Sequence, residues 1–245
     1  MRPTRLALLL VAASAAVALP RPALAGEGDA PLDPDAALAS PAPRHPERWG
    51  LHSGDTAGPG GTILYGEMGW PDTSLGFQHG VSTYVDVGFR ASFLYGIDYV
   101  VPKKRNSTDL APGLGLTIPV RVTVARSDRL SLLVHADPGV KFDGFERKIY
   151  FGPQIPLGVD LGLHLSARST LTLGADLPIS LRVTPTADGI TAFIPLLMGL
   201  TFESRFTDHF GMSFNLRTGI VHGINRTGSD TDLGLLGQVG FLGRI

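Results

Sequence analysis

The sequence predicts an all-β fold, an antiparallel up-and-down transmembrane β-barrel of ten strands, with eight strands as the alternative. Apolar residues alternate with polar or small ones over most of residues 62–244, and the segments that alternate are joined by short and long connections in turn. Successive side chains of a strand point to opposite faces. Membrane barrels turn their apolar face outward and join strands by short turns at one end and longer loops at the other.

Three regions follow one another along the chain. A basic start and a short apolar run precede the small-residue cleavage site Ala23-Leu24-Ala25, which predicts a secretory signal peptide over residues 1–25. Residues 26–60 are rich in proline, alanine and glycine and have no periodicity. We expect a flexible periplasmic segment there, either a spacer or a short docking element. The barrel is expected over residues 61–245.

The composition excludes several classes of protein. The 245 residues include no cysteine, so disulfides and thiolate metal sites are ruled out. The 21 Lys and Arg balance 22 Asp and Glu, which leaves no basic field for nucleic acid. No stretch of about 18 apolar residues follows the signal peptide, so no transmembrane helix is expected.

Ten segments have the two-residue alternation of a strand with one apolar face. In the sixth, the apolar residues from Ile155 to Leu165 share one face, and small or polar residues share the other. The first two segments are short and poorly patterned, which keeps eight strands as the alternative. The ten segments are 62–69, 74–81, 84–97, 113–126, 129–140, 154–166, 169–183, 190–205, 209–222 and 232–244.

The connections between these segments alternate in length. Short turns are predicted at 82–83, 127–128, 167–169 and 207–209. Long loops are predicted at 99–112, 141–153 and 223–231, with intermediate connections at 70–73 and 184–189. Short turns would face the periplasm and longer loops the exterior. With both termini in the periplasm, the number of strands must be even.

An apolar residue followed by proline recurs in four strands, at Pro119, Pro156, Pro178 and Pro195. All four belong to the set of alternate residues whose side chains are expected to face the lumen. Each lies about eight to twelve residues from the nearest short turn, which is the length of a transmembrane strand. This predicts a ring of prolines near the outer rim, where strand pairing loosens because proline has no N–H to donate. The alternative is that these prolines only mark strand ends.

Charged residues of inward parity predict a polar lumen. Five of them should lie at a similar height in the barrel: Arg121, His135, Asp160, Asp176 and Arg217. Charges in a narrow lumen must pair or be hydrated. The set therefore predicts a structural ion-pair network, the lining of a narrow water-filled pore, or an acid–base catalytic site.

Enzyme and metal motifs are not found. The sequence has no G-x-S-x-G, no H-E-x-x-H and no P-loop, and its seven histidines have no metal-ligand spacing. No catalytic residue, cofactor or metal site is therefore assigned.

Basic residues cluster in two of the predicted loops. One cluster is Lys103, Lys104 and Arg105, and the other is Lys141 with Arg147-Lys148. On the exterior they could bind lipopolysaccharide phosphates through charge-assisted hydrogen bonds. The alternative is a solvated loop, since acidic residues lie beside them.

Over residues 62–245 the alternation and the turn pattern resemble those of the small bacterial outer-membrane β-barrel proteins of the OmpA-transmembrane, OmpX and OmpW type. One departure is Ile245, because such barrels usually end on an aromatic residue. The resemblance implies a monomer in the bacterial outer membrane, with membrane lipid, lipopolysaccharide and the barrel-insertion machinery as partners. It implies a non-enzymatic protein, structural or forming a narrow pore for small solutes. The alternatives are a surface adhesion barrel and an outer-membrane enzyme with an unrecognised lumen site.

Overall fold

The computed structural model describes residues 48–96, 99–100, 112–145, 148–183, 189–226 and 228–245. Among these residues there is no helix long and apolar enough to cross a membrane. The described chain forms twelve strand segments: β1 (Thr62–Trp70), β2 (Asp72–Gly80), β3 (Val85–Leu94), β4 (Gly113–Thr117), β5 (Val120–Arg126), β6 (Leu130–Ala136), β7 (Gly139–Phe145), β8 (Lys148–His164), β9 (Ser169–Val183), β10 (Ile190–Arg205), β11 (Phe210–Asn225) and β12 (Gly228–Arg244).

These segments form a closed antiparallel β-barrel of ten strands, which confirms the predicted fold class. The ring contains β1, β2, β3, β5, β6, β8, β9, β10, β11 and β12 in this order, and each strand pairs with the next. It closes where β1 pairs with β12, from Ile63 opposite Arg244 to Trp70 opposite Gly237. The two extra segments, β4 and β7, pair with each other and with β3 and β8.

Prolines separate the two extra segments from the ring. β4 precedes β5 across Ile118-Pro119, and β7 follows β6 across Asp137-Pro138. The sequence predicted β4 and β5 as one strand, 113–126, whereas it ended the strand that contains β6 at residue 140, inside β7. Proline has no N–H to donate, which interrupts the ladder at these positions. The proline carbonyls still accept hydrogen bonds across the gap, Pro119 from the Gly88 amide at 2.8 Å and Pro138 from the Ile118 amide at 2.9 Å.

The barrel has two different ends. We call the end with the connections 81–84, 127–129, 165–168 and 206–209 the turn end, and the opposite end the loop end. Two connections predicted as long loops, 141–153 and 223–231, are largely strand. β7 and β8 are separated by residues 146–147 alone, and β11 and β12 by residues 226–227 alone. The charged and glycine-rich sequences there predicted loops, but their alternation continues in the strands.

The two faces of the wall differ in chemistry. On β9, Leu173, Leu181 and Val183 face outward and are exposed, whereas Thr172 and Arg182 face inward and are buried. The same division holds around the ring, since the large exposed side chains are mostly leucine, isoleucine, valine and phenylalanine and the buried ones are mostly polar or charged. The described barrel therefore has an apolar exterior and a polar interior.

Candidate functional site

A network of buried and half-buried charges lies inside the barrel, and we call it the central network. Arg217 on β11 binds Asp160 on β8 at 2.8 Å and also binds Asp176 on β9. His135 on β6 approaches Asp176 at 3.2 Å and Asp160 at 3.8 Å. Its other ring nitrogen lies 3.6 Å from Asp137. Each charge thus has a partner of opposite sign, as burial requires.

Glycines on the same wall make room for this network. A Cβ atom at Gly174 would lie 2.4 Å from Asp160 Oδ1 and 2.6 Å from Arg217 Nη1. A Cβ atom at Gly158 would lie 2.1 Å from His135 Nε2. Side chains at these two strand positions would therefore displace the paired charges.

The structure brings together four of the five residues that parity placed in the lumen at one height: His135, Asp160, Asp176 and Arg217. The fifth, Arg121 on β5, faces inward but belongs to a different group. It lies 3.4 Å from Asp86 of β3. Parity identified the inward face of each strand, but it did not separate these two groups.

Two further groups of charges line the lumen. Arg182 on β9 binds Asp143 on β7 at 3.1 Å and lies over the ring of Phe193. Beside it, the buried Lys141 donates to Ser180 Oγ at 3.0 Å. Lys141 was predicted in an external basic loop, and this was wrong because residue 141 faces inward on β7. The second group joins Arg90 to Asp72 at 3.4 Å and to Glu67 at 3.6 Å.

Residues 48–61 enter the barrel and occupy its turn end, and we call them the plug segment. Five of their side chains are at most 2 % exposed: Trp49, Ser53, Asp55, Thr56 and Ala57. The flexible segment predicted over residues 26–60 is therefore wrong for residues 48–60. The rest of that prediction and the signal peptide lie outside the described residues. The plug segment lacked periodicity because its backbone is irregular and its partners are distant in sequence.

Wall side chains donate hydrogen bonds to the backbone of the plug segment. Arg121 donates to the Gly50 carbonyl at 3.1 Å and to the Asp55 carbonyl at 3.0 Å. Three hydroxyls do the same: Thr123 to the Gly54 carbonyl at 3.0 Å, Ser131 to the Ser53 carbonyl at 2.8 Å, and Thr172 to the His52 carbonyl at 2.8 Å. Three strands of the wall, β5, β6 and β9, thereby satisfy a backbone that forms no ladder of its own.

Two carboxylates of the wall accept from the backbone amides of the plug segment. Glu203 on β10 accepts from the amides of Leu51 at 3.0 Å and His52 at 2.9 Å. Asp86 on β3 accepts from the Ala57 amide at 3.0 Å. Such charge-assisted bonds are stronger than neutral ones.

Side chains of the plug segment bind the wall and the turns. His52 Nε2 lies 2.8 Å from Glu67 Oε1, and Asp55 lies 3.1 Å from Arg126. The indole of Trp49 donates to the Asp208 carbonyl at 3.0 Å, in the turn between β10 and β11. A small apolar cluster adds to these contacts, formed by Trp49, Leu51, Ala57, Ile63, Tyr65 and Leu242.

A cavity of about 140 Å³ remains in the lumen on the loop-end side of the plug segment. Leu51 and His52 line it from the plug segment, and Gly96 and Tyr99 line it beyond the end of β3. The central network and the two other charged groups complete its wall. Since a cavity of roughly 10–15 Å³ already holds one water molecule, this space suits several waters or a small solute.

The predicted prolines lie within the wall and not near the outer rim. All four face inward, and Pro156 lies opposite Pro178 in the β8–β9 ladder. The β9–β10 ladder skips from Phe193 opposite Ser180 to Leu197 opposite Asp176, so pairing is interrupted beside Pro178 and Pro195. Pro119 separates β4 from β5. The rim position was wrong because the strands continue past the prolines toward the loop end.

The remaining predictions concern metals and loops. The described residues contain no group of three or more His, Asp and Glu that could hold a metal ion. The basic cluster Lys103, Lys104 and Arg105 lies outside the described residues, as does Arg147. The plug segment is what sequence reasoning missed, and the apolar pair Trp49 and Leu51 within a polar stretch was its one visible signal.

No family model matches the chain, and no curated protein matches it.

Proposed function

We propose that the chain is a non-enzymatic protein of the bacterial outer membrane, a barrel that crosses the bilayer while its own N-terminal segment closes the lumen. One observation carries the proposal, namely the apolar exterior around a polar interior. Leu173 and Phe214, for example, are about half exposed, while Arg217, on the same strand as Phe214, is buried. A barrel in water would gain by the reverse arrangement, because burial of apolar surface drives folding there. In lipid this arrangement is the stable one.

The filled lumen favours a structural role over an open pore. The plug segment occupies the turn end, and the charged groups of the wall pair across the space that remains. We therefore propose a closed barrel that resembles the small outer-membrane barrels in organisation, with the turn end in the periplasm and membrane lipid as its surroundings. The predicted signal peptide agrees with export to this membrane.

The proposal is tested by membrane extraction and refolding. We expect the protein to stay in the outer-membrane fraction through high salt and alkaline carbonate, and to leave it only with detergent. Refolded into lipid vesicles, it should migrate faster on a gel before boiling than after it, because a folded barrel resists detergent at room temperature. Release by salt alone, or a fully folded protein in detergent-free buffer, would refute the membrane location.

A further inference from the structure

We propose that residues 48–61 are a displaceable plug and that the barrel conducts small hydrated ions once they leave the lumen. The inference rests on the proposed membrane location and adds an activity to it. Three observations carry it: the contacts of the plug segment, the polar wall that surrounds this segment, and the cavity on its loop-end side.

The plug segment is bound by separate contacts and not by strand pairing over most of its length. Its backbone carbonyls accept from side chains of Arg121, Thr123, Ser131 and Thr172. Its ladder-like backbone bonds are confined to the start of β1, where Gly60 donates to Gly80 at 2.8 Å and Gly80 donates to Gly61 at 2.9 Å. Each side-chain bond can be exchanged for a bond to water, whereas a strand of the wall could not leave without opening the ring.

The wall behind the plug segment is suited to water. The side chains that bind the backbone of the segment are polar or charged, and Asp86, Ser131, Thr172 and Glu203 are buried where they contact it. Once the segment left, this surface would become a hydrated lining of the kind that water-filled barrels have.

The cavity extends the lumen from the plug segment toward the loop end. Leu51 and His52 are the plug residues that line it, so displacing them would join the cavity to the turn end. The wall of the joined space would carry both signs of charge, from Arg121 and Glu203 near the turn end to Asp143 and Arg182 on the loop-end side. A narrow lumen of this kind suits small hydrated ions and excludes apolar solutes.

The wall also offers a way to expel the plug segment by a single methyl group. A Cβ atom at Gly162 on β8 would lie 2.0 Å from the Ser53 carbonyl oxygen and 2.7 Å from Ser131 Oγ. The Ser53 oxygen is backbone and cannot turn aside like a side chain, so the plug segment or β8 must shift. Gly115 on β4 is a matched control, because it also faces inward and its Cβ atom would meet only ordinary contacts at 3.5 Å or more.

The experiment measures displacement and conduction in the same full-length variants. Because the chain has no cysteine, Ser53→Cys provides a single thiol, and it is buried while the plug segment is in place. A hydrophilic maleimide should label this thiol at least tenfold faster with Gly162→Ala than with Gly115→Ala or with neither change. In planar bilayers of phospholipid in potassium chloride, Gly162→Ala should give discrete current steps, and wild type and Gly115→Ala should be silent or open rarely.

Two results would overturn the inference. If Gly162→Ala labels rapidly but remains silent, the emptied lumen is not a path. If the thiol stays protected, the segment is a fixed part of the barrel. Should Gly162→Ala fail to fold, Glu203→Gln takes its place, since it keeps the side chain's size and removes the charge that binds two plug amides. A wild type that does not enter vesicles would instead refute the proposed membrane location, so the two failures are distinguishable.

Discussion

Arg217 lies between the buried carboxylate of Asp160 and the half-buried carboxylate of Asp176, so its removal would leave both without their guanidinium partner. Breaking a buried pair by deleting one member costs about 3–5 kcal/mol, because an uncompensated charge remains in a poorly hydrated space. We expect Arg217→Met to lower the free energy of unfolding by about this amount in urea titrations of the refolded barrel.

A surface pair and a rescue variant control this prediction. Arg168 binds Asp208 at 3.3 Å with both side chains largely exposed, so Arg168→Ala should cost less than about 1 kcal/mol. Adding Asp160→Asn and Asp176→Asn to Arg217→Met should recover most of the loss, since the uncompensated charges are then gone. Equal costs for the two arginines, or no recovery, would contradict a stabilising central network.

The inward position of these residues was predictable, but their pairing was not. Alternation gives the face of the wall on which Asp160 and Arg217 lie, since Leu161 and Leu216 beside them face outward. Which inward charges meet depends on strand register and side-chain reach across β8, β9 and β11. Arg121, of the same parity, accordingly joins Asp86 and the plug segment instead.

At the scale of elements, two glycines of the plug segment provide a matched comparison. Gly54 and Gly60 have φ values of 80° and 74°, so alanine strains the backbone similarly at both. A Cβ atom at Gly54 would lie 2.4 Å from Ser131 Oγ, whereas at Gly60 it would meet nothing within 4 Å. Ser131 cannot turn away freely, because its hydroxyl donates to the Ser53 carbonyl.

We therefore expect Gly54→Ala to destabilise the protein by about 1 kcal/mol or more beyond Gly60→Ala, the cost of overpacking. Thermal unfolding in the same detergent measures the difference. The thiol of Ser53→Cys should also become more reactive with Gly54→Ala and not with Gly60→Ala. Equal melting temperatures and equal labelling would mean that the plug segment does not pack against β6 as described.

Strands in which apolar and polar residues alternate without loop-like residues were predictable from the sequence. Segments that lack this alternation, or that contain residues typical of loops, were not. β9 and β10 were predicted within their observed bounds because their alternation has few interruptions. The β7–β8 hairpin was missed because Lys141, Asp143 and Gly144 are typical of a loop, although the first two alternate with Val140 and Phe142. The plug segment has no local pattern, since it is held by residues up to 159 positions away.

At the scale of the whole molecule, the apolar exterior makes a prediction that separates lipid from water. Leu173 on β9 and Leu165 in the turn after β8 are both 56 % exposed. In a bilayer, Leu173→Arg should cost about 2–4 kcal/mol because it lies well inside the apolar band, and Leu165→Arg should cost about 0–1 kcal/mol near the interface. For a barrel in water both changes would stay within about 0.5 kcal/mol.

Reversible unfolding of both variants in lipid vesicles measures this difference. A depth dependence places the barrel across the bilayer, with the turn after β8 near one interface. Similar small costs at both positions would instead show that the outer face does not contact lipid.

The closed ring was predictable because ten alternating segments, joined in sequence by short turns and longer loops in turn, have one simple closed arrangement. The unequal lengths of the strands were not predictable: β1 and β2 have 9 residues each, whereas β8 has 17. A strand can continue beyond the length that a bilayer requires without any change in its alternation, so the pattern does not show where the apolar band ends.

The plug segment precedes β1 in the chain, yet it binds Glu203 on β10, a strand that is synthesised more than a hundred residues later. Its binding sites on β3, β5, β6, β9 and β10 come together only when these strands have assembled. The segment must therefore wait unbound through most of folding, and it either lies inside before β1 meets β12 or threads in through the turn end afterwards. The order of these two steps decides whether each newly made molecule passes through a stage in which its lumen is empty.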